Sequence, residues 1–211
     1  MKQTIALFFM PFLLAACTAL RVATHHPSSD AAQAPAGLYH ADPEHKSLSF
    51  AVAHMGFSRF VARFDAWDAS LDFDNNSVTQ SRVTARIMAD SLSAPAPVFD
   101  GLIKGKDMLD AASHPEITFV STALEQRDAR SGLMHGILTI RGRSAPVTLA
   151  VTFNGGARNP LTGVHTLGFS ATGTFARSAF GLAAWPIVVA DEVTFSIEVE
   201  FRYLADLETK K

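Results

Sequence analysis

Between Glu192 and Tyr203 the chain alternates without a break. Val193, Phe195, Ile197, Val199, Phe201 and Tyr203 form one set, and Glu192, Thr194, Ser196, Glu198, Glu200 and Arg202 form the other. A helix, turning about 100° per residue, would scatter both sets around its axis, whereas a strand sends successive side chains to opposite faces. The stretch therefore reads as a strand with one oily face. The same period recurs in Leu48-Phe50-Val52, Trp67-Ala69-Leu71-Phe73, Val83-Ala85-Ile87-Ala89 and Ile117-Phe119. It continues in Gly136-Leu138-Ile140, Val147-Leu149-Val151-Phe153 and Leu167-Phe169-Ala171-Gly173-Phe175. Eight strand candidates result, separated by turn signals such as Asp74-Asn75-Asn76, Gly155-Gly156 and Asn159-Pro160. Residues 97–114 differ. Gly101, Gly105 and Pro115 bracket them, and a helical tendency around Asp107 to Ala112 predicts a crossing loop with a short helix.

Eight mostly sequential antiparallel strands make an all-β domain, either a barrel or a sandwich. Strand length separates the two. Residues 193–203, at roughly 3.3 Å each, span about 36 Å, against about 17–20 Å for an ordinary strand, and a tall closed barrel uses such lengths. A lipid-facing barrel would put Glu198, Glu200 and Arg202 in its lumen and would need girdles of Tyr and Trp. The chain has 16 Phe but only 2 Tyr and 2 Trp, so the oily face points inward. With 18 Lys and Arg against 20 Asp and Glu, and no basic cluster, a nucleic-acid partner is excluded.

The start of the chain is read as an address. Lys2, the apolar run from Ile5 to Leu14 and the string Leu14-Ala15-Ala16-Cys17 resemble a bacterial lipoprotein leader, 1–16, ending before an acylated Cys17. The apolar run is too short to span a bilayer. Residues 17–37 read as the acylated cysteine and a flexible linker, 38–204 as the barrel and 205–211 as a C-terminal tail. His25 and His26 lack a third ligand, so no metal is expected. Thr18 is not the aspartate linked with inner-membrane retention, which points to a periplasmic protein anchored in the inner leaflet of the outer membrane.

An eight-stranded interior is just wide enough to be filled by side chains or to hold one small ligand. Ala69, Ala85, Ala89, Gly136, Ala171 and Gly173 fall on the inward phase. They either leave a channel or receive large neighbours, and the pattern fits both.

Further strings carry a family resemblance. Ala41-Asp42-Pro43-Glu44-His45-Lys46-Ser47 running into residues 50–58 resembles the opening of the YceI-like family of periplasmic lipid-binding barrels. His114-Pro115-Glu116-Ile117-Thr118-Phe119, residues 136–142, Pro146-Val147-Thr148-Leu149, Ala176-Arg177-Ser178-Ala179-Phe180-Gly181 and Asp191-Glu192-Val193 are similar to its later strands. The resemblance implies a lipocalin-like eight-stranded antiparallel barrel that holds an isoprenoid, an isoprenoid quinone or a long-chain lipid. Two departures lie near the expected mouth: the family's acidic, histidine-containing loop is replaced by residues 100–109, and its aspartate before Phe-Gly is Ala179.

The candidate tail contacts are Phe50, Val52, Trp67, Leu71, Phe73, Phe119, Leu138, Leu149, Phe169, Phe195, Val199 and Phe201, each of which core packing would also explain. His54 is placed at the mouth to meet a polar head group or to bond a neighbouring loop. Arg177 is placed to pair with a phosphate or quinone oxygen, or with Asp191 or Glu192. No G-x-S-x-G elbow and no cysteine beyond Cys17 is present, so the chain reads as non-enzymatic and without cofactor. The competing reading is a membrane-anchored interaction module with a filled barrel. A homodimer is left open.

Overall fold

The computed structural model describes residues 22–209, so the leader and Cys17, like residues 210–211, lie outside the described residues. Ten strand segments follow in order: β1 (Gly37–His54), β2 (Ser58–Phe64), β3 (Trp67–Phe73), β4 (Arg82–Met88), β5 (Leu92–Ser93), β6 (Glu116–Gln126), β7 (Ser131–Ile140), β8 (Arg143–Arg158), β9 (His165–Ala176) and β10 (Val189–Tyr203). They make eight staves. β2 and β3 run in the same direction along one flank of β1, beside residues 49–54 and 37–40 respectively, and amount to one strand broken at Asp65-Ala66. β4 and β5 are likewise one strand, interrupted by the 3-10 turn Ala89–Ser91. Lys46 spans the first break, its Nζ donating to the Trp67 carbonyl and lying 5.0 Å from the indole centroid.

The ring runs β1-β3-β4-β6-β7-β8-β9-β10 and closes where β10 pairs antiparallel with β1, from Tyr39 opposite Tyr203 to His54 opposite Val189. This is the expected closed, eight-stranded antiparallel barrel, with no exposed edge along most of its wall. The alternation that defines the strands survives except at bulges. Between Ala41 and Lys46 four residues of β1 face the single Glu200 of β10. The surplus is odd, so the inward phase moves from Tyr39 and Ala41 to Leu48, Phe50 and Val52. Buried Asp42 locks this bulge, accepting the Glu44 N–H at 3.0 Å and facing His45 Nδ1 at 3.1 Å and Arg202 Nε at 3.7 Å.

One expectation is corrected, and both segments flanking the barrel make contacts with it. The crossing-loop helix is Pro97–Lys104, upstream of Asp107 to Ala112. Pro97 occupies the first turn, where its missing N–H costs nothing, and Gly105 ends the helix. Asp110 has a φ of 47°, which breaks the later stretch into turns that bury Met108, Leu109 and Ala111. The linker is not free throughout. Ser28 exchanges two 2.9 Å backbone hydrogen bonds with Gly156, and the 3-10 turn Ala31–Gln33 and buried Ala34 cover the barrel end where β1 starts. The tail is also docked. Residues Leu204–Glu208 form a helical turn whose Asp206 carboxylate accepts the His165 N–H at 2.8 Å, with Arg158 Nη1 3.6 Å away.

The inward glycines leave no channel. A Cβ on Gly136 would lie 2.3 Å from the Phe119 ring and 2.7 Å from the Val120 carbonyl, and one on Gly173 would lie 2.5 Å from Phe195. The rings fill what the glycines vacate. We expect Gly136→Ala to destabilise the barrel by about 1–3 kcal/mol, read from its denaturant midpoint, because the Val120 backbone cannot give way.

Burial alone would raise the Asp206 carboxyl, but the His165 N–H, the His165 ring and the nearby Arg158 together hold it below the ordinary carboxylate range. A depressed folded value gives stability that is present above the unfolded pKa and lost as pH falls through the folded one. Lowering the pH from about 6 to about 3 should therefore reduce the urea midpoint. Asp206→Asn, weaker at the higher pH, should show a smaller fall.

Candidate functional site

The barrel encloses a cavity of about 870 Å³. That is within the roughly 300–1,000 Å³ of small-molecule sites and far above the gaps that close packing leaves. Its middle is built only from apolar side chains: β3 and β4 supply Trp67, Ala69, Leu71, Phe73, Val83 and Ala85, β6 to β8 supply Phe119, Leu138 and Leu149, and β9 and β10 supply Phe169, Ala171, Phe195, Val199 and Phe201. Eleven of the thirteen described phenylalanines face this space, the exceptions being exposed Phe57 and buried Phe180. Ala69 and Ala85 sit directly opposite each other on β3 and β4 and, with Ala171, leave the room that Gly136 and Gly173 do not.

Polar groups occur only toward the two ends. At one end, Ser81, Gln126, Asp128, Arg130 and Ser131 border the cavity beside Ala31 and Val78. Several of these are already engaged: Ser81 Oγ accepts the Asp74 N–H, Asp128 accepts from Arg130 and Ser131, and Arg130 donates to the Phe153 and Asn154 carbonyls. At the other end His54, Ser58, Arg59 and Arg177 reach the lining. This second end is the mouth. β2 has a strand partner on its outer flank only at Arg63 and Phe64, so from residue 62 to the hairpin tip the wall lacks a hydrogen-bonded neighbour there. The helix Pro97–Lys104 packs over the gap through Phe99, whose ring centroid is 5.4 Å from that of Phe60. The loop 182–188 borders the hairpin, and its Val188 carbonyl accepts the Met55 N–H at 3.0 Å.

All fourteen side chains singled out in the sequence border the cavity: the twelve tail candidates, His54 and Arg177. His54 is half-buried and takes part in no side-chain hydrogen bond among the described residues. Arg177 is engaged by backbone carbonyls. It is 4% exposed, and its Nε donates to the Ala190 carbonyl at 2.9 Å, Nη2 to Val189 at 3.0 Å, and Nη1 to both Leu182 and Ala184. Asp191 is committed elsewhere, accepting from the Ser178 N–H and hydroxyl. Arg177 is thus the clamp that fixes the 182–190 loop over the mouth, with one N–H left at most for a ligand. Truncating it would leave four carbonyls short of a donor. We expect Arg177→Ala to cost about 3 kcal/mol or more in thermal unfolding, with Arg177→Lys recovering little, since an ammonium cannot reproduce the fork.

Several wall residues had no place in the sequence reading. Phe60 and Phe64 lie on β2, whose alternation of Phe60, Ala62 and Phe64 with Arg59, Val61 and Arg63 is legible but short. Met108, Leu109, Leu182 and Trp185 come from irregular segments where no period exists to reveal them. Asp42, His45 and Glu200 bring ligand-type atoms within 4.8 Å of one another. The Arg202 guanidinium beside Asp42 opposes a cation there, and the bulge already uses both Asp42 oxygens.

Residues 39–201 match the YceI-like domain family. The chain belongs to the YceI-like family. A "UPF0312 protein" of Pseudomonas savastanoi pv. phaseolicola is 33% identical over 154 residues, covering 72% of this chain and 80% of that protein. The crystal structure of Burkholderia cenocepacia BcnA superposes with a TM-score of 0.69 at 24% identity, covering 76% of this chain and 98% of that one. A structure described as a polyisoprenoid binding domain from Saccharophagus degradans has a TM-score of 0.60 at 10% identity, covering 80% of this chain and 99% of that one. At those identities the two structures establish the shared fold.

Proposed function

We propose that this YceI-like barrel binds, without chemistry, a long hydrophobic amphiphile of isoprenoid or isoprenoid-quinone type, and carries, stores or sequesters it in the bacterial envelope. The single observation that carries the reading is the 870 Å³ lumen with an apolar middle and polar groups only at its ends. Water entering such a space finds almost no partners in the middle, whereas an apolar chain loses its hydration there at no polar cost. Removing about 500 Å² of chain surface from water is worth about 12 kcal/mol gross, from which association takes roughly 4–15 kcal/mol. Loose chain selectivity at micromolar affinity follows. The name given to the Saccharophagus degradans domain supports the same ligand class.

The wall offers His54, Ser58 and Arg59 near the mouth for a head group, and the 12 side chains named from the sequence for the tail. An acylated Cys17 facing the periplasm from the inner leaflet of the outer membrane is part of the proposal and rests on the leader sequence alone. The filled-barrel interaction module is disfavoured by the lumen itself.

The test is solvent extraction of purified protein followed by mass spectrometry, paired with Ala69→Phe and Ala85→Phe. We expect a stoichiometric prenyl or long-acyl compound in the parent. In the variants, which narrow the lumen at mid-height, retention should fall at least tenfold with an unchanged circular dichroism spectrum. Equal amounts in parent and filled variants would end the proposal.

A further inference from the structure

The large apolar side chains left in water are not spread evenly over the described residues. Eight of them surround the mouth: Met55, Phe57 and Val61 on the β1–β2 hairpin, Val98, Phe99 and Leu102 on the helix Pro97–Lys104, and Trp185 and Ile187 on the 182–188 loop. Phe57 is 85% exposed and Ile187 95%, values that no packing role explains. The three segments are joined, the hairpin to the loop through Met55 and Val188 and the hairpin to the helix through the Phe60–Phe99 contact. They therefore form one rim around one opening.

We propose that this rim docks onto a lipid bilayer bearing anionic headgroups, with the hairpin tip and the 182–188 loop entering the interface. Two features select this occupant. Residues 55–61, 97–107 and 182–190 carry the cations Arg59, Lys104 and Lys106 against two carboxylates, Asp107 and Asp100, whose Oδ1 already accepts the Ala94 N–H. That balance suits an anionic surface, which rewards cations beside inserted apolar side chains. Second, the rim is continuous with the apolar lumen, since Phe99, Leu102 and Trp185 are exposed and also line the cavity, so a bilayer seated on it meets the cavity lining directly. The apolar residues also stand on three separate prominences, a shape suited to a fluid interface. The proposal extends the carrier reading by naming where cargo enters and leaves, while the docking itself requires only the rim.

Trp185 supplies the measurement, because the other tryptophan, Trp67, is buried in the barrel wall. Full-length protein stripped of extractable lipid is mixed with vesicles of phosphatidylglycerol and phosphatidylcholine whose acyl chains are brominated, and tryptophan quenching is followed. An N-terminal acyl anchor would bring protein to the vesicle without immersing Trp185, so quenching reports the rim itself. We expect quenching that is weaker on pure phosphatidylcholine and at high salt. It should fall at least tenfold in apparent affinity for the double variant Phe57→Ser, Ile187→Ser, whose exposed positions leave folding intact. No quenching of the parent, or quenching unaffected by the double substitution, would overturn the proposal. So would a parent that elutes as a dimer and is rendered monomeric by the double variant without any vesicle signal, since the rim would then be covered by a second copy. Cargo extraction is read separately, so a failure to dock leaves the carrier reading standing.

Discussion

The seam between β1 and β10 is the contact on which the barrel depends. Eleven paired positions join the first long strand to the last, and without them the sheet would end in two exposed edges with its phenylalanine face open to water. β1 also pairs with β2 and β3 on its other flank, so one strand of 18 residues orders three neighbours. To do so it must change phase part-way along. The Asp42-Pro43-Glu44-His45 bulge performs the change, and the buried Asp42 carboxylate, held below its ordinary range against burial by the Glu44 N–H, His45 and Arg202, keeps it in place. A motif singled out in the sequence only as a family likeness is thus the device that brings Leu48, Phe50 and Val52 onto the lumen side.

The room inside follows from which small residues are alanine and which are glycine. A glycine on the inward phase lets a ring from the next strand occupy the space a Cβ would need, as Phe119 does at Gly136 and Phe195 at Gly173. Ala69, Ala85 and Ala171 border the lumen, whereas Gly136 and Gly173 do not. The paired Ala69 and Ala85, and Ala171 on β9, therefore matter to capacity more than their size suggests.

Much of this was legible in the alternation. Period two locates all eight staves and the side of each that faces the lumen, because in a closed barrel the two faces meet different media along the whole strand. The wall residues read from it border the cavity for that reason. What was not legible lies where periodicity fails. β5 has two residues, and the loops that supply Met108, Leu109, Leu182 and Trp185 have no repeat at all. Arg177 shows the other boundary of such reading. Its charge and position suggest a ligand partner, but only coordinates reveal that four carbonyls from residues 182–190 have already claimed the guanidinium.

The bridge between Ser28 and Gly156 determines which end of the barrel the preceding chain leaves from. Whatever chain precedes Ser28 departs from the base of the barrel, opposite the opening. The 15 residues of β10, tilted near 40°, make the barrel about 38 Å tall. An attachment made through that chain, such as the one proposed at Cys17, would leave the opening at the far end of the barrel from the point of attachment.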